Sequence, residues 1–193
     1  GSMTINGGNY SYGGIVGLVN GPSTLKDLTN RCSVTVTIDN NKETHLGGIL
    51  GRTSKKLTIS NCDNYGAMTV LGTDTYKLRV GGIIGYLASG GETTADDINN
   101  HGEVTVTHAQ GHDSHVAGIF GSALAASSLK NSSNSVGGKV FVKGNPGGAN
   151  TGGIIGYASQ PIEIENCHSC ESVKINLTTN VGATLGGIIG YNN

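Results

Sequence analysis

The hexamer GGIIGY stands at residues 81–86 and returns at 152–157 and 186–191. Looser copies are GGIVGL at 13–18, GGILGR at 47–52 and AGIFGS at 117–122. Measured at the second glycine (Gly14, Gly48, Gly82, Gly118, Gly153, Gly187) the intervals are 34, 34, 36, 35 and 34 residues. Self-similarity at such a period marks a repeat architecture, in which no unit buries its apolar face alone. The chain reads as one solenoid of five repeats and the opening of a sixth, rather than as several globular domains.

The same period suits helical repeats, but the residues reject helices. Glycine and β-branched runs are poor helix formers, and the repeats are full of both. Period-two alternation, the strand signal, occurs at Val34-x-Val36, Met68-x-Val70, Val104-x-Val106, Val140-x-Val142 and Val173-x-Ile175. Alignment on these pairs brings out further columns. Leu28, Cys62, Ile98, Asn134 and Cys167 form one; Leu25, Ile59, Ala95, Asn131 and Ile164 another. Leu46, Val80, Val116, Thr151 and Leu185 precede the next glycine copy. Each repeat is therefore expected to hold about three short strands, on the hexamer, on the LTIS/IEIE segment and on the V-x-V pair. Stacked like on like, they make an all-β, single-stranded parallel β-helix of about five turns.

Glycine in a strand marks a bulge, a bend or the close approach of another backbone. Adjacent isoleucines such as Ile83 and Ile84 point to opposite faces of a flat strand, so one must line the core. Asn30, Asn64 and Asn100 share a column that Val136 and Ser169 are expected to break. Asx side chains favour turns, and stacked amides can bond along a column; a structural role outweighs ligand binding.

Composition narrows the function. There are 33 glycines in 193 residues, 13% charged residues and a net charge of −1. Glycine does not fall at every third position, which excludes collagen. Apolar residues recur in register, which excludes ordinary disorder. The few lysines and arginines form no basic stripe, so no nucleic-acid partner is expected. No apolar run approaches the ~20 residues of a helical membrane span. Gly1-Ser2-Met3 has the look of an expression scar, which leaves the solenoid at residues 4–193. A chain that closes on GGIIGYNN and opens without the V-x-V strand of a preceding repeat is expected to be a segment of a longer array. Uncapped ends would favour end-to-end association.

The stretches GGILGRTSKKLTISNCDNYGAMTV (47–70) and GGIIGYASQPIEIENCHSCESVKI (152–175) resemble GLUG-type repeats. The resemblance covers residues 13–193 and is weakest in the fourth repeat, where AGIFG replaces GGIIG and no cysteine follows. It implies a right-handed β-helix on a secreted or cell-surface bacterial protein. Many such proteins are described as adhesins, and some repeats flank the catalytic domain of immunoglobulin A proteases. It transfers no catalytic residue.

Candidate chemistry is sparse. Cys62 and Cys167 share a column with Leu28 and Ile98 and read as small buried hydrophobes. They sit about 14 Å apart by the inter-strand spacing, too far for a disulfide. Cys32 falls at a turn. Cys167-His-Ser-Cys170 is formally C-x-x-C, but it is a lone pair with one member in the core. His108, His112 and His115 with Asp113 have metal-ligand spacing, yet only one repeat carries them, and a solvated loop is the expected setting. A polysaccharide-cleaving enzyme needs clustered carboxylates. The acidic residues spread over many columns, and Asp27 and Asp97 are separated by Asn61. No H-E-x-x-H is present. Thr35, Thr69 and Thr105 form an outward column, interrupted by Phe141 and Lys174, too short for an ice-binding array.

Tyr86, Tyr157 and Tyr191 end their hexamers where Leu18, Arg52 and Ser122 end the others. Aromatics facing solvent can stack on a sugar or a protein partner, so Tyr86 and Tyr157 are the candidate binding residues, although capping a strand is the blander role. The expectation is a non-enzymatic extracellular solenoid, adhesive or a spacer, with a protein or glycan ligand on a lateral face, no metal and no cofactor. A polysaccharide lyase or glycosidase is the alternative.

Overall fold

The structure is a computed structural model and describes residues 1–6, 10–38, 43–72, 75–146, 148–169, 173–177 and 182–193. It is an all-β parallel solenoid of about five turns, with no helix among the described residues. Among the described residues the strands form sheets of 11, 6 and 7 strands, and every ladder is parallel.

The first three turns each hold four strands rather than three. In the second turn these are Ser33–Ile38, Glu43–Gly47, Leu50–Thr53 and Leu57–Asn64. We call them the V-x-V, pre-glycine, post-glycine and asparagine strands. The column of Leu46, Val80, Val116, Thr151 and Leu185 is the inward edge of the pre-glycine strand. In the largest sheet the V-x-V and pre-glycine ladders are joined by one continuous strand, Val104–Ala117.

The hexamer is a corner, not a strand. A strand ends at Gly81 and the next begins at Ile84. The bend turns Ile83 and Ile84 to the same side, and both are fully buried in one core. That resolves the problem of two adjacent isoleucines, each contributing roughly 1.5–3 kcal/mol by burial. The asparagine strand breaks period two as well. Leu25 and Leu28, or Ile59 and Cys62, face inward three residues apart. Between them stand Asp27, Asn61, Asp97, Asn131 and Asn166, each left-handed with φ of 50–56°. Asp and Asn tolerate this region better than other non-glycine residues, and the kink absorbs the extra residue.

Two separate cores result. One is filled by the V-x-V and pre-glycine strands, including Val36, Val70, Val106, Leu46 and Val80. The other lies between the post-glycine and asparagine strands, including Ile49, Ile83, Ile59 and Ile98. Between them runs a waist. There Asn30, Asn64, Asn100 and Asn134 back against Gly14, Gly48, Gly82 and Gly118. The amides form a continuous ladder: Asn30 Nδ2 donates to Asn64 Oδ1 at 2.7 Å, Asn64 Nδ2 to Asn100 Oδ1 at 2.9 Å, and Asn100 Nδ2 to Asn134 Oδ1 at 2.9 Å. In these four copies the hexamer's second glycine is glycine because any Cβ there would overlap this ladder.

The fourth repeat corrects the column assignment. Ala95 pairs with Leu129, not Asn131, and Asn100 pairs with Asn134, so Val136 is not in the asparagine column. Val136 is 78% exposed on a turn that ends at Gly137, φ +97°. Two residues inserted between Asn134 and Val140 displaced an alignment anchored on V-x-V. The first residues also join the fold. Ser2–Asn6 is a V-x-V strand, with Met3 opposite Val34 and Ile5 opposite Val36. The expectation that residues 1–3 stand outside the solenoid and that no such strand precedes the first hexamer is thus corrected; β-branched and apolar residues at the right spacing suffice to build the strand.

Candidate lateral seam

The pre-glycine and post-glycine strands meet at the hexamer corner, and their outward residues face each other across it. One column runs Ser11, His45, Arg79, His115, Asn150 and Thr184. The other runs Leu18, Arg52, Tyr86, Ser122, Tyr157 and Tyr191. Tyr86 and Tyr157 therefore lie in one seam. Their ring faces are largely taken. His45 stacks on Tyr86 at 4.7 Å, His115 on Tyr157 at 4.3 Å, and Tyr157 on Tyr191 at 5.4 Å. Tyr157 is thus covered on both faces and offers no platform for a sugar ring. The tyrosines present their edges and hydroxyls instead, and no intramolecular hydrogen bond to these hydroxyls occurs among the described residues. Burial raises the Tyr86 phenol above its ordinary pKa, so it is a neutral donor.

Behind the tyrosines lies a polar layer that the sequence did not signal. His45 and His115 are each 4% exposed and Arg79 5%. Arg79 donates to Asp113 Oδ2 at 2.8 Å and to the Asp113 carbonyl at 3.1 Å. His115 Nε2 lies 3.0 Å from Asp113 Oδ1, and its Nδ1 3.1 Å from Ser122 Oγ. His45 repeats the theme two turns earlier, with Nδ1 3.1 Å from Ser11 Oγ and Nε2 3.3 Å from Glu43 Oε1. The Glu43 contact is an electrostatic pairing rather than a well-directed hydrogen bond, since His45 Nε2 otherwise lacks a partner. His115 was expected in a solvated loop; it lies on the strand Val104–Ala117 and is buried, because outward residues at this corner are covered by the post-glycine column. The side chains of His108 and His112, and all of Cys170, lie outside the described residues.

Ser122, His115 and Asp113 have the composition of a nucleophile triad. Ser122 is fully buried, however, flanked by Tyr86 and Tyr157 in its column. A serine with no access cannot attack a substrate, so the array is a packing network. The carboxylates are equally unsuited to acid catalysis. The pairing with the His45 imidazole, with Arg79 and Lys77 nearby, lowers the Glu43 pKa. Burial opposes it at Asp113, but the His115 hydrogen bond and the Arg79 charge hold that carboxyl well below the usual range. A glycosidase acid needs the opposite shift.

Elsewhere, Thr4 precedes Thr35, Thr69 and Thr105, so the outward threonine column has four rungs before Phe141 and Lys174 end it. Asp27 and Asp97 are separated by Asn61, which donates to Asp27 Oδ1 at 2.7 Å. Asp39, Asp74 and Glu171 lie outside the described residues. Cys62 is buried in the core, Cys167 packs at its edge, and with Cys32 they are free thiols. No group of three or more His, Cys, Asp or Glu residues able to hold a metal exists among the described residues. Comparison with protein-family models, with curated proteins and with solved structures finds no match.

The buried histidines set a pH dependence. Burial lowers both His45 and His115 below 6.5 despite the neighbouring acids. A depressed histidine pKa favours the neutral form in the fold, so its contribution is present above about pH 6.5 and lost as pH falls through the folded value. The depressed Glu43 and Asp113 act in the same direction from about pH 4.5 downward. Melting temperature is expected to be flat from pH 7 to 8.5 and to fall in two phases on acidification. The His45→Gln/His115→Gln double variant should lose the first phase; a wild-type curve that rises between pH 7 and 5.5 contradicts the assignment.

Proposed function

We propose that this chain is a non-enzymatic, adhesin-like segment of an extracellular bacterial protein, and that it binds its ligand along the lateral seam. The observation that carries this reading is the row of tyrosine edges at Tyr86, Tyr157 and Tyr191, locked by ring stacking and backed by buried His45, Arg79 and His115. Side chains held in place before binding lose little entropy on binding, and tyrosine combines apolar area with a hydroxyl. The likeness of the repeats to GLUG-type sequences supports the cell-surface setting. Against the lyase or glycosidase reading stand the two seam carboxylates, both held ionised by basic partners.

The test is a glycan and extracellular-protein array probed with the wild type and with Tyr86→Phe/Tyr157→Phe/Tyr191→Phe. Phenylalanine keeps the stack and removes the hydroxyls. Each lost hydrogen bond is worth about 0.5–1.5 kcal/mol, so the triple variant should bind at least tenfold more weakly at an unchanged melting temperature. Equal binding by the two proteins rejects the seam. Absence of any ligand favours a spacer, and turnover of a polysaccharide would make the protein an enzyme.

A further inference from the structure

We propose that the seam takes an acidic glycan, with Arg52 as the anchor for a sugar carboxylate. This rests on the seam being the binding face. Arg52 stands between Leu18 and Tyr86 in the post-glycine column. It is half-buried, with its guanidinium carbon 5.5 Å from the Tyr86 ring centre. Its Nε is buried with no hydrogen-bond partner. Among the described residues no carboxylate pairs with it, whereas Arg79 is neutralised by Asp113 and Glu43 is engaged by His45. Among the described residues, the columns around the seam hold three cations, Arg52, Lys77 and Arg79, against two carboxylates, Glu43 and Asp113.

A partly desolvated guanidinium without an anion is an unsatisfied charge. Its planar fork of donors matches a carboxylate bidentately, which an ammonium does not. The rest of the seam selects the class of molecule. Along the axis from Arg52 stand the hydroxyls of Tyr86, Tyr157 and Tyr191, which complement the hydroxyls and ring oxygens of an extended oligosaccharide. Leu18 lies on the other side of Arg52 and is exposed, a surface for sugar C–H groups. An acidic peptide fits less well. Extended peptides are captured by adding to a free sheet edge, and the strands carrying Arg79, Arg52 and Tyr86 are paired on both sides.

The experiment is calorimetric titration at pH 7.5 with a uronic-acid tetrasaccharide, its carboxyl-reduced counterpart and tetraglutamate. The proteins are wild type, Arg52→Gln, Arg52→Lys, the triple tyrosine-to-phenylalanine variant, and Lys130→Gln on a remote sheet as control. Expected results are binding of the uronate by wild type and the Lys130 variant, and at least tenfold weaker binding of the reduced sugar. Arg52→Gln should lose at least tenfold, and Arg52→Lys should fall between. A melting curve for each variant separates lost binding from lost fold, and Arg52→Lys keeps the charge if Arg52→Gln unfolds. Equal binding of acidic and reduced sugars, or unchanged affinity in Arg52→Gln, overturns the anchor; the seam then stands only if the tyrosine variant is weakened. Tighter binding of tetraglutamate overturns the glycan. No binding of either sugar overturns the glycan and removes the support for the seam.

Discussion

Gly82→Ala is expected to abolish cooperative folding of the central turns, or to lower the melting temperature by about 10 °C or more. A Cβ at this position would overlap the Gly118 carbonyl oxygen and the Asn100 side chain together. Neither neighbour can move freely. The backbone there belongs to the inter-turn ladder, since Gly82 N–H donates to Ala117 O at 3.1 Å and Gly118 N–H to Gly153 O at 3.2 Å. Asn100 is held by its own four hydrogen bonds. Overpacking typically costs 1–3 kcal/mol, and more when backbone must yield; at about 4 kcal/mol a chain of this size loses roughly 8–16 °C. Gly21→Ala, where an added Cβ meets nothing within 4 Å, is the control and should melt as the wild type does. A Gly82→Ala protein within 2 °C of wild type, in calorimetry at about that precision, would mean that the waist is not close-packed.

Asn100→Asp is the second large effect. Asn100 is fully buried. Its Nδ2 donates to Gly102 O at 2.8 Å and to Asn134 Oδ1 at 2.9 Å, and its Oδ1 accepts from Asn64 Nδ2 at 2.9 Å. Aspartate has the same shape but, once ionised, turns both donated bonds into oxygen–oxygen repulsions inside a low-dielectric waist. The expected loss at neutral pH is about 3–5 kcal/mol, the cost of an uncompensated buried charge. The buried carboxyl should have a raised pKa. Its penalty is then relieved below the unfolded value of about 3.9 and grows as pH rises above it. The variant should therefore regain part of its deficit in acid, where the wild type weakens. A deficit that does not change between pH 7 and pH 4 contradicts an amide ladder that depends on its donors.

The period, the parallel stack and the inward columns could be read from residues, because burial selects apolar types turn after turn. Val36, Val70 and Val106 announce their column. Geometry without a change of residue type could not be read. Ile83 and Ile84 look like any strand pair, and only the bend at Gly82 sends both to one core. The inserted pair in the fourth repeat hid Asn134 from its ladder, since alignment on V-x-V cannot tell where a turn has grown. The seam was half visible. Its tyrosines stood out as a hexamer ending, but its other column holds Ser, His, Arg, His, Asn and Thr, which share no type. The usable signal was a spacing: each residue two places before a hexamer faces the one seven places later, as His115 faces Ser122.

The polar waist has a consequence for how the molecule comes apart. A solenoid with one core loosens turn by turn from its ends. Here, among the described residues, the two hydrophobic compartments meet along glycines, polar side chains and backbone. We expect either compartment to open lengthwise while the other stays shut, giving two cooperative units side by side as well as a series of turns along the axis. Amide protons of the V-x-V and pre-glycine strands would then exchange as one population, and those of the post-glycine and asparagine strands as another. The Arg52 column lies on the wall of the second compartment and the His45 column on the wall of the first. A ligand spanning both would act as a clasp across the hinge line between them.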